Sequence, residues 1–511
     1  MNKHVFGLLL LFVSSLVTVA KADPYGSQFQ VNTLPLSSNA SPNVIGMSQA
    51  TGANGDSMLL WWFGDIANPT VYFQRYDAAG LRLQSQEWSA PNVLGAAVSA
   101  NGSYALLRKL PDRTGHALYV TVYNRSGGVL VPQFQVNDYA AQAPLIYGAG
   151  IKMNASGQLL VSWTSGSSGT PGSPTDTVYV KRFHANGTAA TAQIMLYANT
   201  NPYQGYAGGG LALDASGNFV VSWSFGDIYT ADSMDIWARR FNANGTALGS
   251  AFRVNTTTAG KQISDGLAMN DAGAFVVLWE GPNGSGGIGL FAQRYSSAGT
   301  PLGGEFAVNT QAARFSTGFD GTGISMAPNG SFVATWNDGL TVFARAFRAD
   351  GTAFAAPFVV ASPGNLWTRF ANVGLDRNNN FLISWMQFTG SDSNSDRVYA
   401  RRYWPADISV QTAAVGQTVT PLSGTTGSWR YFKVTVPPGY STFDFSIFGG
   451  TGDADIYVRW GVLPTFTEWN GRPYLWGNNE TARMSGAIAG DWYVGIYGYN
   501  GYNSLGFRPS F

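Results

Sequence analysis

The chain has 511 residues, a formal net charge of +1, and no cysteine. A disulfide framework and thiol nucleophiles are therefore excluded, and the near-neutral charge without a basic run argues against nucleic acid or an anionic membrane as partner. Charged residues make up only 12% of the chain, while aromatics reach 14% and glycines number 63, a mixture suited to short strands, many turns and large buried rings.

At the N-terminus, Lys3, the apolar run 7–13 and Val19-Ala20-Lys21-Ala22 predict a secretory signal peptide over residues 1–22 with an Ala-x-Ala cleavage site. The apolar run is too short for a comfortable membrane span and no stop-transfer segment follows it. The mature chain is expected to be secreted and extracellular, exported as bacterial proteins are, with no membrane span. Its length exceeds one ordinary core, so two domains are expected.

From residue 23 to 405 one hairpin recurs seven times. A turn residue stands six places before an anchor in Gly55/Trp61, Gly102/Arg108, Gly157/Trp163, Gly217/Trp223, Gly273/Trp279, Gly330/Trp336 and Asn379/Trp385. Each unit offers a small-residue strand, an Asp/Asn-x-x-Gly turn, an anchor strand apolar on both faces, and a third strand ending at a second glycine turn. Asn379 tolerates the left-handed backbone better than most residues, which accounts for the one exception to glycine. A fourth piece, Phe-x-Val-Asn, occurs at 29–32, 134–137, 252–255 and 306–309, with a worn copy at 358–361. Units this small cannot bury their own faces and must stack. Four short antiparallel strands repeated seven times predict a seven-bladed β-propeller. The phase of the repeat predicts that 29–32 completes the last blade by pairing near 398–403, which removes the open edges. Blade 2, with Arg108 in place of Trp, is expected to make the weakest contact or a modified face.

The repeat region carries little chemistry. Only His116 and His184 lie outside the signal, so a His-Glu-x-x-His zinc site is impossible, and His184 occupies a turn position filled by interchangeable polar residues. The Gly-x-Ser-x-Ala stretches at 46–50 and 323–327 lie on strands, not on a strand-to-helix elbow. Asp65, Asp227, Glu280 and Asp338 follow their anchors and either converge on one rim, as glycoside hydrolysis would need, or simply terminate strands. Asp392, Asn394 and Asp396 have calcium-loop spacing, but Arg397 stands where glycine is needed and no glutamate stands at Tyr403. Arg75, Arg182, Arg240, Arg294 and Arg402 share one position. They are expected to pack along a neighbouring Trp or pair with a carboxylate, the other reading being an anion-binding ring.

Residues 406–511 alternate in strand fashion around the turn at Pro437-Pro438-Gly439 and predict an antiparallel β-sandwich. Asp453 and Asp455 alternate with apolar residues and serve either calcium or turn hydrogen bonding. Trp469, Tyr474 and Trp476 lie among turn residues, placed either to stack on a sugar or peptide ligand or to roof the core. Residues 407–505 also resemble the bacterial pre-peptidase C-terminal (PPC) domain, through 431–439, Gly452-Asp-Ala-Asp-Ile-Tyr-Val458, Pro464-Thr465, Arg472-Pro-Tyr474, Gly477-Asn-Asn-Glu480, Gly490-Asp-Trp-Tyr-Val494 and Gly498-Tyr499. Many members place cysteines where this chain has Gly471 and Ala482. Membership implies a β-sandwich and, in some members, help in engaging bulky substrates; it does not imply a peptidase. Together these readings predict a non-catalytic binding protein for an extracellular protein or polysaccharide surface. The alternatives are a secreted hydrolase, as glycosidase or peptidase-associated protein, and a structural matrix component.

Overall fold

The computed structural model describes residues 24–32, 44–63, 70–78, 80–84, 88–112, 115–138, 145–166, 177–198, 204–227, 234–284, 287–309, 321–364, 366–388, 396–403, 410–424, 429–461, 463–464, 469–486 and 488–511. The predicted signal peptide, Asp65 and most of the 392–396 loop lie outside them, as do the side chains of His116 and Asp227.

Between residues 24 and 403 the chain forms seven four-stranded antiparallel sheets. Blade 1 uses Val44–Thr51, Ser57–Phe63, Thr70–Tyr76 and Trp88–Pro91, and blades 2 to 6 repeat that order over 93–135, 145–198, 204–253, 263–307 and 322–361. Blade 7 takes three strands from 368–403 and its fourth from the N-terminus, where Pro24–Gln30 pairs with Arg397–Tyr403, Phe29 opposite Ala400 and Gln30 opposite Tyr399. The structure is therefore a seven-bladed β-propeller whose ring closes as the repeat phase requires. The fourth strands of blades 1 and 3, Trp88–Pro91 and Ile194–Ala198, are ones the Phe-x-Val-Asn pattern did not reveal.

The repeat's punctuation has clear structural causes. Gly217 and its counterparts adopt positive φ, and Asn379 does so at 63°. In these turns the first residue's side chain accepts the N–H four residues on, as Asp214 does from Asn218 at 2.8 Å and Asp376 from Asn380 at 2.9 Å. The anchors Trp61, Trp163, Trp279, Trp336 and Trp385 are buried and stack on a ring opposite, Tyr72, Tyr179, Phe291, Phe343 and Tyr399, with centroids 5.6–6.3 Å apart. Arg108 faces Tyr119 at the same register.

Phe-x-Val-Asn proves to be a seam element. Its Phe packs on the ring ending the third strand of the next blade, in Phe29–Tyr76, Phe134–Phe183, Phe252–Tyr295, Phe306–Phe347 and Phe358–Tyr403, with centroids 5.0–5.5 Å apart. Its Val is buried and donates to its own blade's third strand, as Val254 does to the Ile236 carbonyl at 2.7 Å. Its Asn then accepts a backbone N–H at the start of that strand: Leu118 to Asn137, Ile236 to Asn255, Leu290 to Asn309 and Val398 to Asn32.

The five aligned arginines share a partner that neither expectation included. Each guanidinium donates to backbone carbonyls in the next blade's second turn: Arg75 to Arg125, Arg182 to Ala243, Arg240 to Ser297 and Ala298, Arg294 to Ala349, and Arg402 to Asp77 and Ala78. Burial holds the guanidiniums of Arg75, Arg182, Arg240 and Arg294 below their ordinary pKa.

The C-terminal strands pair around one long strand, Gly490–Ser510. Its first half pairs with Trp429–Val436 and Thr451–Trp460, its second half with Val419–Gly424 and Thr442–Phe448, and Glu480–Ser485 extends the second group. Val410–Thr412 joins Trp429–Val436 in parallel, a departure from the antiparallel expectation. One apolar cluster, including Phe432, Phe445, Ile456, Val494 and Phe507, is shared by both groups.

Replacing Asn32 tests the closure. Asn32→Ala leaves the buried Val398 N–H without an acceptor and is expected to lower stability by about 1–3 kcal/mol, read as a fall in the urea midpoint. An unchanged midpoint would mean that the closing strand contributes little.

Candidate functional site

Sequence-predicted ligand and metal residues meet in one small cleft. Asp453 and Asp455 on Thr451–Trp460, Tyr474, Leu475 and Trp476 on the following loop, and Tyr499 on Gly490–Ser510 line a cavity of about 90 Å³. Trp469, the third predicted aromatic, is half-exposed and lies outside the cleft lining. Leu475 and Tyr499 were not read from the sequence, because only the fold brings the 499 region beside the 474–476 loop.

The loop is held by polar side chains, several of them in the motif that carries the PPC resemblance. Glu480, almost fully buried, accepts the N–H of Ile456 at 2.8 Å and that of Leu475 at 2.6 Å, tying sheet to loop with one carboxylate. Asn478 accepts from Ala454 at 3.0 Å and donates to the Gly449 carbonyl at 3.0 Å, while Asn479 accepts from Gly449 at 3.1 Å. Asp453 accepts the Gly477 N–H at 2.9 Å. Arg472 reaches Asp455 at 3.4 Å and lies over the rings of Tyr474 and Tyr457, 4.0 and 4.5 Å from their centroids. Tyr474 itself sits at φ 60°, a left-handed conformation that a ring-bearing residue holds only when its surroundings enforce it.

What these pins leave outside is apolar. Trp476 is 93% exposed and Tyr474 66%, with Leu475 and Tyr499 more than half exposed beside them. The aromatics therefore do not roof the core. Flat rings held rigidly in water lose little conformational freedom when a ligand covers them, so the loop is pre-organised for contact.

Both predicted metal carboxylates already have protein partners, Gly477 for Asp453 and Arg472 for Asp455. Among the described residues no group of three or more His, Asp or Glu is placed to hold a metal ion. Burial raises the carboxyl pKa of Asp455, partly offset by Arg472, and burial likewise raises that of Glu480 against its two N–H donors.

The other candidates disperse. Glu280 is buried beside Asp265, and Asp338 accepts the N–H groups of Leu340 and Thr341, ending its strand in a turn. His184 is exposed in a turn, with its backbone N–H bonded to the Thr188 carbonyl. Ser325 accepts the Leu375 N–H from the next blade at 3.0 Å, a structural use of the hydroxyl. Gly471 and Ala482, the two positions set against PPC cysteines in the sequence, are neighbours: a Cβ built on Gly471 would lie 3.5 Å from that of Ala482, and the Met484 methyl, closer still, would have to swing aside.

Two predictions follow from this geometry. A carboxyl whose pKa is raised by folding binds more protons folded than unfolded, so its contribution falls as pH rises from about 4 through the raised value. Asp455→Asn should therefore gain stability relative to wild type between pH 4 and 7, measured as the difference in urea midpoints; a pH-independent difference would refute this. The double variant Gly471→Cys/Ala482→Cys should oxidise to a disulfide, detectable by a thiol assay, and stabilise the fold by about 2–3 kcal/mol.

No family model matches the chain. Among curated proteins it is 38% identical over 96 residues to alkaline serine exoprotease A of Vibrio alginolyticus, covering 19% of this chain and 18% of that protein. It is 39% identical over 93 residues to a zinc metalloprotease of Helicobacter pylori, covering 18% of this chain and 36% of that protein. It is 30% identical over 222 residues to an extracellular protease of Xanthomonas campestris pv. campestris, covering 40% and 38%. The chain thus spans well under half the length of each of these relatives. Among solved structures, the polysaccharide lyase Uly1 is 9% identical with a TM-score of 0.45, covering 75% of this chain and all of that one. An α-L-arabinofuranosidase of Fusarium graminearum is 10% identical with a TM-score of 0.40, covering 74% and 98%. A solution structure named vEP C-ter 100 is 36% identical with a TM-score of 0.18, covering 19% of this chain and 96% of that one.

Proposed function

We propose that the chain is a secreted, non-catalytic binding protein. In this reading residues 1–22 are a signal peptide, 23–405 the propeller and 406–511 a PPC domain, and the Trp476 cleft engages an extracellular protein or polysaccharide surface. The propeller supplies a second broad face, and two contacts on one chain raise avidity beyond either alone. The observation that carries the reading is the nearly complete exposure of Trp476 on a loop pinned by Glu480, Asn478 and Asp453. A soluble chain keeps a rigid aromatic cluster in water at a cost in solvation, and such clusters mark contact surfaces.

The relatives support a shared non-catalytic segment. One is named a serine exoprotease and another a zinc metalloprotease, each matching over fewer than 100 residues. The two matches are of nearly equal length, 96 and 93 residues, and serine and zinc chemistries use different residues, which favours a segment that handles substrate over one that cleaves it. The name of a third relative, an extracellular protease, agrees with export.

Retention of the purified chain on insoluble collagen, chitin and cellulose tests the proposal. Trp476→Ala should reduce retention on the bound matrix at least tenfold while leaving the urea midpoint unchanged, because the ring makes no core contact. Retention on none of these surfaces, or undiminished retention of the variant, would defeat it. The hydrolase reading keeps one specific support, Asp265 on the wall of the central cavity with Glu280 beside it. Turnover of casein or a labelled glycan that Glu280→Gln abolishes would put that reading in its place.

A further inference from the structure

The inner strands of all seven blades enclose a central cavity of about 670 Å³. Inner strands are sheet edges, so their inward backbone N–H and C=O groups are left without ladder partners and form a polar wall. Register aligns the inner strands of the blades with one another. Opposite the residue just before each anchor stand Ser48, Gly95, Gly150, Gly210, Gly266, Gly323 and Asn372, five of them glycine. Two residues further along the strands stand Ala50, Ala97, Lys152, Ala212, Ala268, Ser325 and Gly374. Six blades place a small residue there, and blade 3 places a lysine.

Lys152 is exposed, to the lumen, and lines the cavity. Loss of bulk solvent lowers its pKa. Among the described residues of the lining the other ionisable one is Asp265. Asp265 is a poor counter-ion: it is half-buried beside Glu280, one of its oxygens has no partner, and desolvation together with Glu280 pushes its carboxyl pKa well up toward the neutral form. Among the described lining residues the channel therefore holds one cation, Lys152, beside a wall of hydroxyls and peptide groups, Ser48, Ser162 and Thr164 among them.

A single ammonium on a flexible stem suits a monoanion. Arginine, whose fork pairs bidentately with phosphate, is absent among the described lining residues, which favours a singly charged ligand over a phosphate dianion. The polar wall, with donors and acceptors at many heights, suits hydroxyl groups, and the volume is in the range of small-ligand sites. We propose that the central channel binds a small hydroxylated carboxylate, of the size of a sugar acid or its dimer, whose carboxylate pairs with Lys152. This site is separate from the Trp476 cleft and does not depend on the function proposed for it.

Titration calorimetry on the full chain tests it with digalacturonate, gluconate and N-acetylneuraminate as probes, and with neutral galactobiose and inorganic phosphate as controls. At least one carboxylate probe should bind wild type, weaken tenfold or more in Lys152→Ala, and weaken as salt rises. Alanine is the residue that blades 1, 2, 4 and 5 carry at this position, so the variant should fold, and an unchanged urea midpoint checks that it does; Lys152→Arg, which keeps the charge, should retain part of the affinity. Trp476→Ala should bind the same probe as wild type does, which separates this site from the cleft. The proposal is overturned if no carboxylate probe binds at millimolar concentration, if Lys152→Ala binds as tightly as wild type, or if galactobiose or phosphate binds as well as the carboxylates.

Discussion

The seam between blades is the constraint on which the propeller depends. A single four-stranded sheet of this size exposes apolar rings on both faces, and only a neighbour can cover them. Here the covering is reciprocal and directional. A fourth-strand Phe of one blade lies on the ring that ends the next blade's third strand, as Phe252 does on Tyr295. An Arg from the first blade, such as Arg240, ties down the next blade's turn through its carbonyls. Apolar area supplies the attraction and the guanidinium supplies the alignment. Two seams lack the arginine. Blade 2 has Val122 at that position, and blade 6 has Ala346, facing a blade whose fourth strand comes from the other end of the chain.

The same division of labour shapes the C-terminal segment. Its polar residues Asp453, Asn478, Asn479 and Glu480 hold the loop to the sheet, Asn478 and Glu480 from buried positions. The residues left free to meet another molecule are the apolar ones, Tyr474, Leu475, Trp476 and Tyr499. A buried glutamate that bridges two N–H groups is costly if either is lost, so the loop's conformation is closely tied to the sheet's. Rigidity here is a product of polar burial, and the exposed rings take their position from it.

Local signals were legible wherever one residue type is required by backbone geometry or by a large ring. Asn379 in place of glycine, the six anchor tryptophans and the Phe-x-Val-Asn phase all read through to the observed turns, stacks and closing strand. Trp88–Pro91 and Ile194–Ala198 were not legible, because their seams use other side chains in place of the motif. The aligned arginines were visible, but their partners were not, since a backbone carbonyl has no sequence signature. Tyr474 and Trp476 were visible as aromatics in a loop; that Trp469 lies apart while Tyr499 joins them was not.

The order of residues alone settled how many blades form, where each turns, and that the N-terminus must complete the last, because these follow from spacing that recurs along the chain. It settled equally that thiol chemistry is absent. Tertiary structure alone decided what depends on several strands meeting: which acceptors the arginines find, which carboxylates lie beside one another, and that Lys152 stands on the wall of a channel shared by seven strands. Spacing repeats along one dimension and can be read there, whereas the surroundings of a side chain are assembled from segments far apart and exist only once the ring has closed.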